Sequence, residues 1–144
     1  MENCIFCKII QQEIPGYKIY EDDQVYAFLD ITQVTEGHTL LVPKQHVSDI
    51  FSYNQEMAAA IFSCLPRIAK ALEKTFPTMK GLNILNNNKE LAYQSVFHSH
   101  IHLIPRYTEK DDFSIHFGNH QEDYTPDLMT KIADSIASQV INDA

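Results

Sequence analysis

The chain has 144 residues, 44% of them hydrophobic, and 19 Asp and Glu against 11 Lys and Arg give a formal charge of −8. That is enough sequence for one domain with its own core, and the acidic balance sets aside a broad nucleic-acid surface while allowing a small phosphorylated ligand. No apolar run reaches the roughly 18 residues of a membrane span, and Met1-Glu2-Asn3-Cys4 lacks the basic and apolar stretches of a signal peptide, so no membrane contact is expected and the cytoplasm is the expected compartment.

Asn3 reads as the N-cap of a short helix over residues 4–10 that ends before a turn at Pro15-Gly16. Residues 17–20 and 24–29 are rich in β-branched and aromatic side chains and flank Glu21-Asp22-Asp23, the pattern of a hairpin. Residues 38–42 form a third strand closed by Pro43. From Asn54 to about Phe76, the residues Met57, Ile61, Leu65, Ile68 and Leu72 recur at helical spacing, and Pro66 should bend that helix or open one hydrogen bond. Residues 81–86 and 95–104 read as two more strands joined by the polar loop Asn87-Asn88-Lys89-Glu90.

After Arg106 the chain turns polar until Thr125-Pro126, an N-cap followed by a proline at the first helical position. Leu128, Ile132, Ile136 and Val140 follow at four-residue spacing and predict a docked helix, which could also serve a dimer interface. Clustered strands with one long intervening helix predict an α+β fold: an antiparallel five-stranded sheet packed with one long helix, a short N-terminal helix and a C-terminal helix.

Within residues 94–104, His98, His100 and His102 stand two residues apart in an apolar run. On a strand they would share one face at about 6.6 Å spacing, with Phe97, Ile101 and Leu103 on the other. Each buried imidazole has a donor and an acceptor to satisfy, at about 1–3 kcal/mol for each polar group left unmatched, so the row predicts a polar site. It could ligate a catalytic metal, or one imidazole could attack an electrophile such as phosphorus while its neighbours fix its tautomer.

Cys4-x-x-Cys7 admits two small core residues, a redox pair or half of a zinc site, and no strand precedes it as a redox motif would want. A zinc reading needs two more ligands, for which His46 and His98 are candidates. Gln94 and Ser95 offer neutral donors for phosphate oxygens, and Asp30 could accept from sugar hydroxyls or start a turn. The run Asn86-Asn87-Asn88 marks a turn as readily as a site, and His38 could face the site from the third strand.

These residues resemble the histidine-triad (HIT) superfamily, whose signature His-x-His-x-His followed by two apolar residues is matched by His98-Ser99-His100-Ile101-His102-Leu103-Ile104. Cys-Ile-Phe-Cys-Lys-Ile-Ile, Ala-Phe-Leu-Asp-Ile, Gly-His-Thr-Leu-Leu-Val-Pro-Lys and Gln-Ser-Val-Phe-His stand in the expected order, so the likeness spans roughly residues 3 to 107. The resemblance implies a catalytic core over residues 1–107, with residues 108–144 as a C-terminal extension of the same domain, and a homodimer. It also implies hydrolysis or transfer of purine nucleotides at the α-phosphate of nucleoside phosphoramidates or dinucleoside polyphosphates, through a covalent nucleotidyl-histidine.

By that resemblance His100 is the nucleophile, His102 contacts phosphate and assists the leaving group, and donors near Ser95 and Gln94 hold phosphate oxygens. Asp30 takes the ribose hydroxyls, Phe6, Ile9, Phe28, Leu29 and Ile31 enclose base and sugar, and Asn87 lies near ribose and phosphate. Cys4, Cys7, His46 and His98 map to a structural zinc, which leaves His100 free to react. Where many relatives carry glycine before Gln-Ser-Val, this chain has Ala92-Tyr93, and a tyrosine takes a positive φ poorly, so Tyr93 is expected to stack on the substrate or close the pocket. Two other readings remain open: a metallohydrolase with catalytic zinc on the histidine row, and a nucleotide- or partner-binding module without turnover.

Overall fold

A computed structural model describes residues 3–140, and the expectations for Met1, Glu2 and residues 141–144 lie outside it. The elements are α1 (Ile5–Ile10), β1 (Lys18–Glu21), β2 (Val25–Leu29), β3 (Thr39–Pro43), α2 (Gln55–Thr75), β4 (Gly81–Leu85), β5 (Ile101–Arg106) and α3 (Pro126–Ala137), with three short 3-10 turns between them. One antiparallel sheet in the order β1-β2-β3-β5-β4 holds all five strands. The fold is therefore the α+β arrangement expected.

Two compact units divide the chain between Phe113 and Ser114. In the first, strand alternation sends Val25, Ala27, Leu41, Ile101 and Leu103 to the face covered by Ile61, Cys64, Leu65, Ile68 and Leu72 of α2. The helix starts where Asn54 accepts from the Met57 amide and runs through Pro66 to Thr75. The opposite face carries Tyr26, Phe28, Leu40 and Val42 and packs on Phe6, Cys7 and Ile9 of α1. Past β5, the Asp111 carboxylate accepts from the Arg106 Nε and from the amides of Tyr107 and Thr108, tying residues 107–111 to the strand end.

Three expectations are corrected. The cap of α1 is Cys4, whose sulfur accepts from the Cys7 amide at 3.4 Å, so the helix begins at Ile5 and not under Asn3. The last strand begins at Ile101, not near Ser95, because the chain before it is drawn away from the ladder: the Ser99 amide donates to the Val47 carbonyl at 2.7 Å. His98 and His100 thus precede the strand, as does Phe97, which is 51% exposed. In the second unit, α3 forms under Thr125 and Pro126 as expected, but none of its side chains is buried.

Candidate active site

Sheet register brings the polar groups together. Tyr26, Phe28 and Asp30 alternate onto the α1 face, as do His38, Leu40 and Val42, and His102 pairs with Leu40 across β3 and β5. Gly37 takes φ +93°, and a Cβ there would come within 2.7 Å of the Phe76 ring, so only glycine allows the turn that delivers His38. Gln33 braces this turn: its Nε2 donates to the carbonyls of Asp30 and His38, and its Oε1 accepts from the Gly37 amide.

A chain of hydrogen bonds fixes the tautomers. The Val34 amide donates to His38 Nδ1 at 3.3 Å, so the ring proton sits on Nε2 and is given to His102 Nδ1 at 2.8 Å. His102 then presents an Nε2–H. His100 is set the other way: a carbonyl can only accept, so the 2.8 Å contact between His100 Nδ1 and the His98 carbonyl places the proton on Nδ1 and leaves Nε2 with its lone pair. Burial lowers the pKa of His100, and burial together with the neighbouring His100 and His38 pushes His102 down to about 4, so both rings are neutral near pH 7.

Asp30 fits both of its readings. One carboxylate oxygen accepts from the Thr32 amide and hydroxyl at 2.8 and 2.6 Å, and the other lies 3.7 Å from His38 Nε2. Burial raises the Asp30 carboxyl, but the Thr32 donors and the facing histidines outweigh it and hold it below the usual carboxylate range. A pocket of about 380 Å³ opens beside these groups, with Phe6, Ile9, Phe28, Leu29 and Ile31 as apolar walls and Asp30, Ser95, His100 and His102 as polar ones.

Next to it, Cys4, Cys7, His46 and His98 converge, with one donor atom of each within 4.8 Å of the others. Sulfur-to-Nδ1 distances of 3.4 Å for Cys4–His98 and 3.5 Å for both Cys7–His98 and Cys7–His46 match the edges of a tetrahedron built on zinc bonds of about 2.3 Å to sulfur and about 2.0 Å to nitrogen. His98 Nε2–H donates to the Pro43 carbonyl at 2.8 Å, which aims an unprotonated Nδ1 at the sulfurs. Burial also pushes His98 down to about 4 and raises the Cys7 thiol, the reverse of the depressed thiol that a redox pair needs.

Residues 11–109 match the HIT domain family. The chain belongs to the HIT family. It is similar to the protein hit of Bacillus subtilis (strain 168), 50% identical over 96% of this chain and 95% of that one. It is also similar to an adenosine 5'-monophosphoramidase of Saccharomyces cerevisiae, 38% identical over 84% of this chain and 73% of that one. Among solved structures, a HIT family protein from Bacillus anthracis matches with a TM-score of 0.94 at 52% identity, over 97% of this chain and 99% of that one. A Zn-bound histidine triad family protein from Mycobacterium smegmatis matches with a TM-score of 0.73 at 31% identity, over 96% of this chain and 99% of that one.

Not every expected residue of this HIT protein faces the pocket. Gln94 is buried and its amide is fully engaged, accepting from the Lys89 amide and donating to the carbonyls of Ser48 and Val96. It is a staple between loops. Asn87 is absent from the pocket wall, whereas its neighbour Asn86 donates to the His100 carbonyl at 2.9 Å and receives from Asn88. Tyr93 adopts φ 70°, the conformation a glycine takes easily, and its side chain is 86% exposed and lies outside the pocket lining.

His38 and Asn86 act on the triad yet are weak signals in sequence. A Gly-His pair before an apolar strand hints at the first, and an asparagine closing a strand looks like any turn residue.

Proposed function

We propose that this HIT protein is a nucleotide hydrolase or transferase that cleaves at the α-phosphate of nucleoside phosphoramidates or dinucleoside polyphosphates through a nucleotidyl intermediate on His100. The observation that carries this reading is the tautomer of His100: with Nδ1–H held by the His98 carbonyl, a neutral Nε2 lone pair remains on a ring that lines the pocket. The pocket lining supports the same reading: apolar walls suit a base, Asp30 has one oxygen not taken by Thr32 to offer ribose hydroxyls, and Ser95 also lines the pocket. The similarity to the yeast adenosine 5'-monophosphoramidase supports adenosine phosphoramidates as substrates.

In the first half-reaction His100 Nε2 forms a bond to phosphorus, and the bond from phosphorus to the leaving nitrogen or oxygen breaks. His102, neutral and accepting from His38 on Nδ1, keeps its Nε2 proton and donates a hydrogen bond to the departing atom, which leaves as a neutral amine from the nitrogen-protonated substrate or as a phosphate anion. Water then attacks phosphorus, the bond to His100 breaks, and that water's surplus proton passes to solvent. In this reading Ser95 donates to the phosphate oxygens on which charge gathers.

Cys4, Cys7, His46 and His98 are the residues that would hold zinc, closed around by four protein donors and so structural. When bound, the metal would fix α1 to the segment that carries the nucleophile. The protein acts as a homodimer in this reading, which is supported by the open edge of β4 and by the exposed apolar stripe of α3.

Asp30, His38 and His102 also lie within 4.8 Å of one another, a donor set that favours a metallohydrolase as the second reading. Against it, the 2.8 Å contact between the two rings is filled by a shared proton. The deciding experiment quenches wild-type protein in acid-free denaturant after brief exposure to adenosine phosphoramidate and reads intact mass. Covalent catalysis yields an acid-labile adduct one nucleoside monophosphate heavier, absent in His100→Ala; normal turnover by His100→Ala, or activity abolished by chelation with no adduct trapped, overturns it.

A further inference from the structure

A groove of about 440 Å³ runs along the Cys–His cluster, walled by residues that include Asn3, Cys4, His46 and Phe97. We propose that Cys4 and Cys7 form an oxidation switch: a hydroperoxide joins them as a disulfide, which expels the metal and loosens the segment that holds His100. The first half of this inference rests on the zinc reading and the effect on turnover rests on the hydrolase reading.

The groove gives a small oxidant a way in. Ile5 and Phe97 on its walls are 48% and 51% exposed, and Cys4 lies on the wall while Cys7 does not, so Cys4 is the sulfur that meets the oxidant. Its partner is close, with the two sulfurs within 4.8 Å of each other. The Lys8 amide donates to the Cys4 carbonyl at 3.1 Å, which closes a helical turn and sets the two Cα atoms about 5 Å apart, inside the roughly 4.4–6.8 Å that a disulfide bridges. The third cysteine, Cys64, is buried under α2 on the opposite face of the sheet and cannot compete. A metal ligand is deprotonated outright, so the burial that makes the free Cys7 thiol sluggish does not protect the metallated pair.

With hydrogen peroxide as the oxidant, the Cys4 thiolate attacks one oxygen, becomes a sulfenic acid and releases hydroxide. The Cys7 thiolate then attacks that sulfur and expels a second hydroxide, so the two sulfurs give up two electrons and the peroxide takes both. The disulfide left behind has neither charge for a cation nor an S–H to donate. His98 is wholly buried with Nδ1 facing the sulfurs at 3.4 and 3.5 Å, and a disulfide leaves that nitrogen unmatched. A ring that moves to find a donor moves its own carbonyl, the group that holds the His100 proton.

The test treats zinc-loaded wild type and Asn3→Trp with hydrogen peroxide, reading zinc release with a chromogenic chelator and the disulfide by intact mass and peptide mapping. Wild type should release zinc in step with becoming about 2 Da lighter at Cys4 and Cys7. Hydrolysis of adenosine phosphoramidate should fall with them, and dithiothreitol with added zinc should restore all three. Asn3→Trp narrows the way in but keeps all four donors, and should lose zinc about tenfold more slowly, whereas an unfolded variant would lose it faster. Oxidation confined to Cys64 or methionine, a Cys4 sulfenic acid that never pairs, a disulfide that forms with zinc retained, or an unchanged rate in Asn3→Trp overturns the proposal. Full hydrolysis by the disulfide form overturns the link to His100.

If untreated protein supplied with zinc holds none, the zinc reading fails by itself and the mass alone decides the pairing, a missing disulfide overturning it. If untreated protein hydrolyses nothing, the hydrolase reading fails while zinc and mass still read the switch. The segment is then followed by the NMR signal of the His100 Nδ1 proton, which should vanish on oxidation; its persistence overturns the link.

Discussion

Two demands meet at His98. Its ring nitrogen faces the sulfurs of Cys4 and Cys7, while its main-chain carbonyl holds the proton of His100. His102 depends in turn on His38, whose Nε2–H fixes which nitrogen of His102 carries the proton. His102→Ala is therefore expected to lower kcat for an adenosine phosphoramidate by about 10²–10³, the worth of one donor aimed at developing charge. His38→Ala should cost less than that and leave nucleotide affinity intact, because it frees a tautomer without removing a contact to substrate. Steady-state kinetics with a separate binding measurement checks both; a His38→Ala protein with unaltered kcat would refute the relay.

The histidine spacing was legible in the sequence. What the alternation argument could not foresee is that His98 and His100 lie outside the strand, since the pull of Val47 and Asn86 on their backbone comes from segments remote in the chain.

Among the elements, α1 shows how a six-residue helix, too short to persist alone, is held by tertiary contacts. Phe6, Cys7 and Ile9 pack on the sheet, and the two cysteines face His46 and His98. About one zinc per chain is expected by elemental analysis of the wild type, lost in Cys4→Ser together with a marked drop in the melting temperature. Zinc retained at full stoichiometry in Cys4→Ser would remove Cys4 from the metal set.

The loop before the triad carries stored strain: Lys89 and Tyr93 hold φ of 75° and 70°, and the buried Gln94 amide pins Lys89. Tyr93→Gly should raise stability by up to about 1 kcal/mol, since a left-handed conformation costs an L-residue roughly 1–2 kcal/mol and glycine gives part of that back as chain entropy. Chemical denaturation measures it, and a clear loss of stability would show that the Tyr93 side chain makes contacts that matter. That a non-glycine residue takes this turn could not be read locally, because the restraint is a glutamine side chain reaching to Ser48 and Val96.

For the whole molecule, burial leads the causes that lower the pKa values of His38, His46, His98, His100 and His102, two of them to about 4. Groups that bind protons less readily folded than unfolded make the unfolded chain the larger proton sink below their ordinary value. Stability should thus be full above about pH 6.5 and fall progressively toward pH 4. Thermal unfolding at stepped pH values tests this, and a flat melting temperature across that window contradicts it.

On α3, Ile132 and Ile136 are 38% and 62% exposed. If a second copy covers them, Ile132→Asp with Ile136→Asp should shift the mass measured by light scattering from dimer toward monomer. An unchanged dimer would place the interface elsewhere.

Length, periodicity and turn residues determined the strands, the long helix and the antiparallel class, because those depend on patterns that repeat within a few residues. The same local order displayed the three histidines and the Cys-x-x-Cys. Only the tertiary structure decided which atom of each meets which partner. A tautomer is set by whichever donor or acceptor happens to face the ring, and the partners here, Val34 for His38, Pro43 for His98 and Asn86 for the backbone of His100, are made neighbours by sheet register and loop closure.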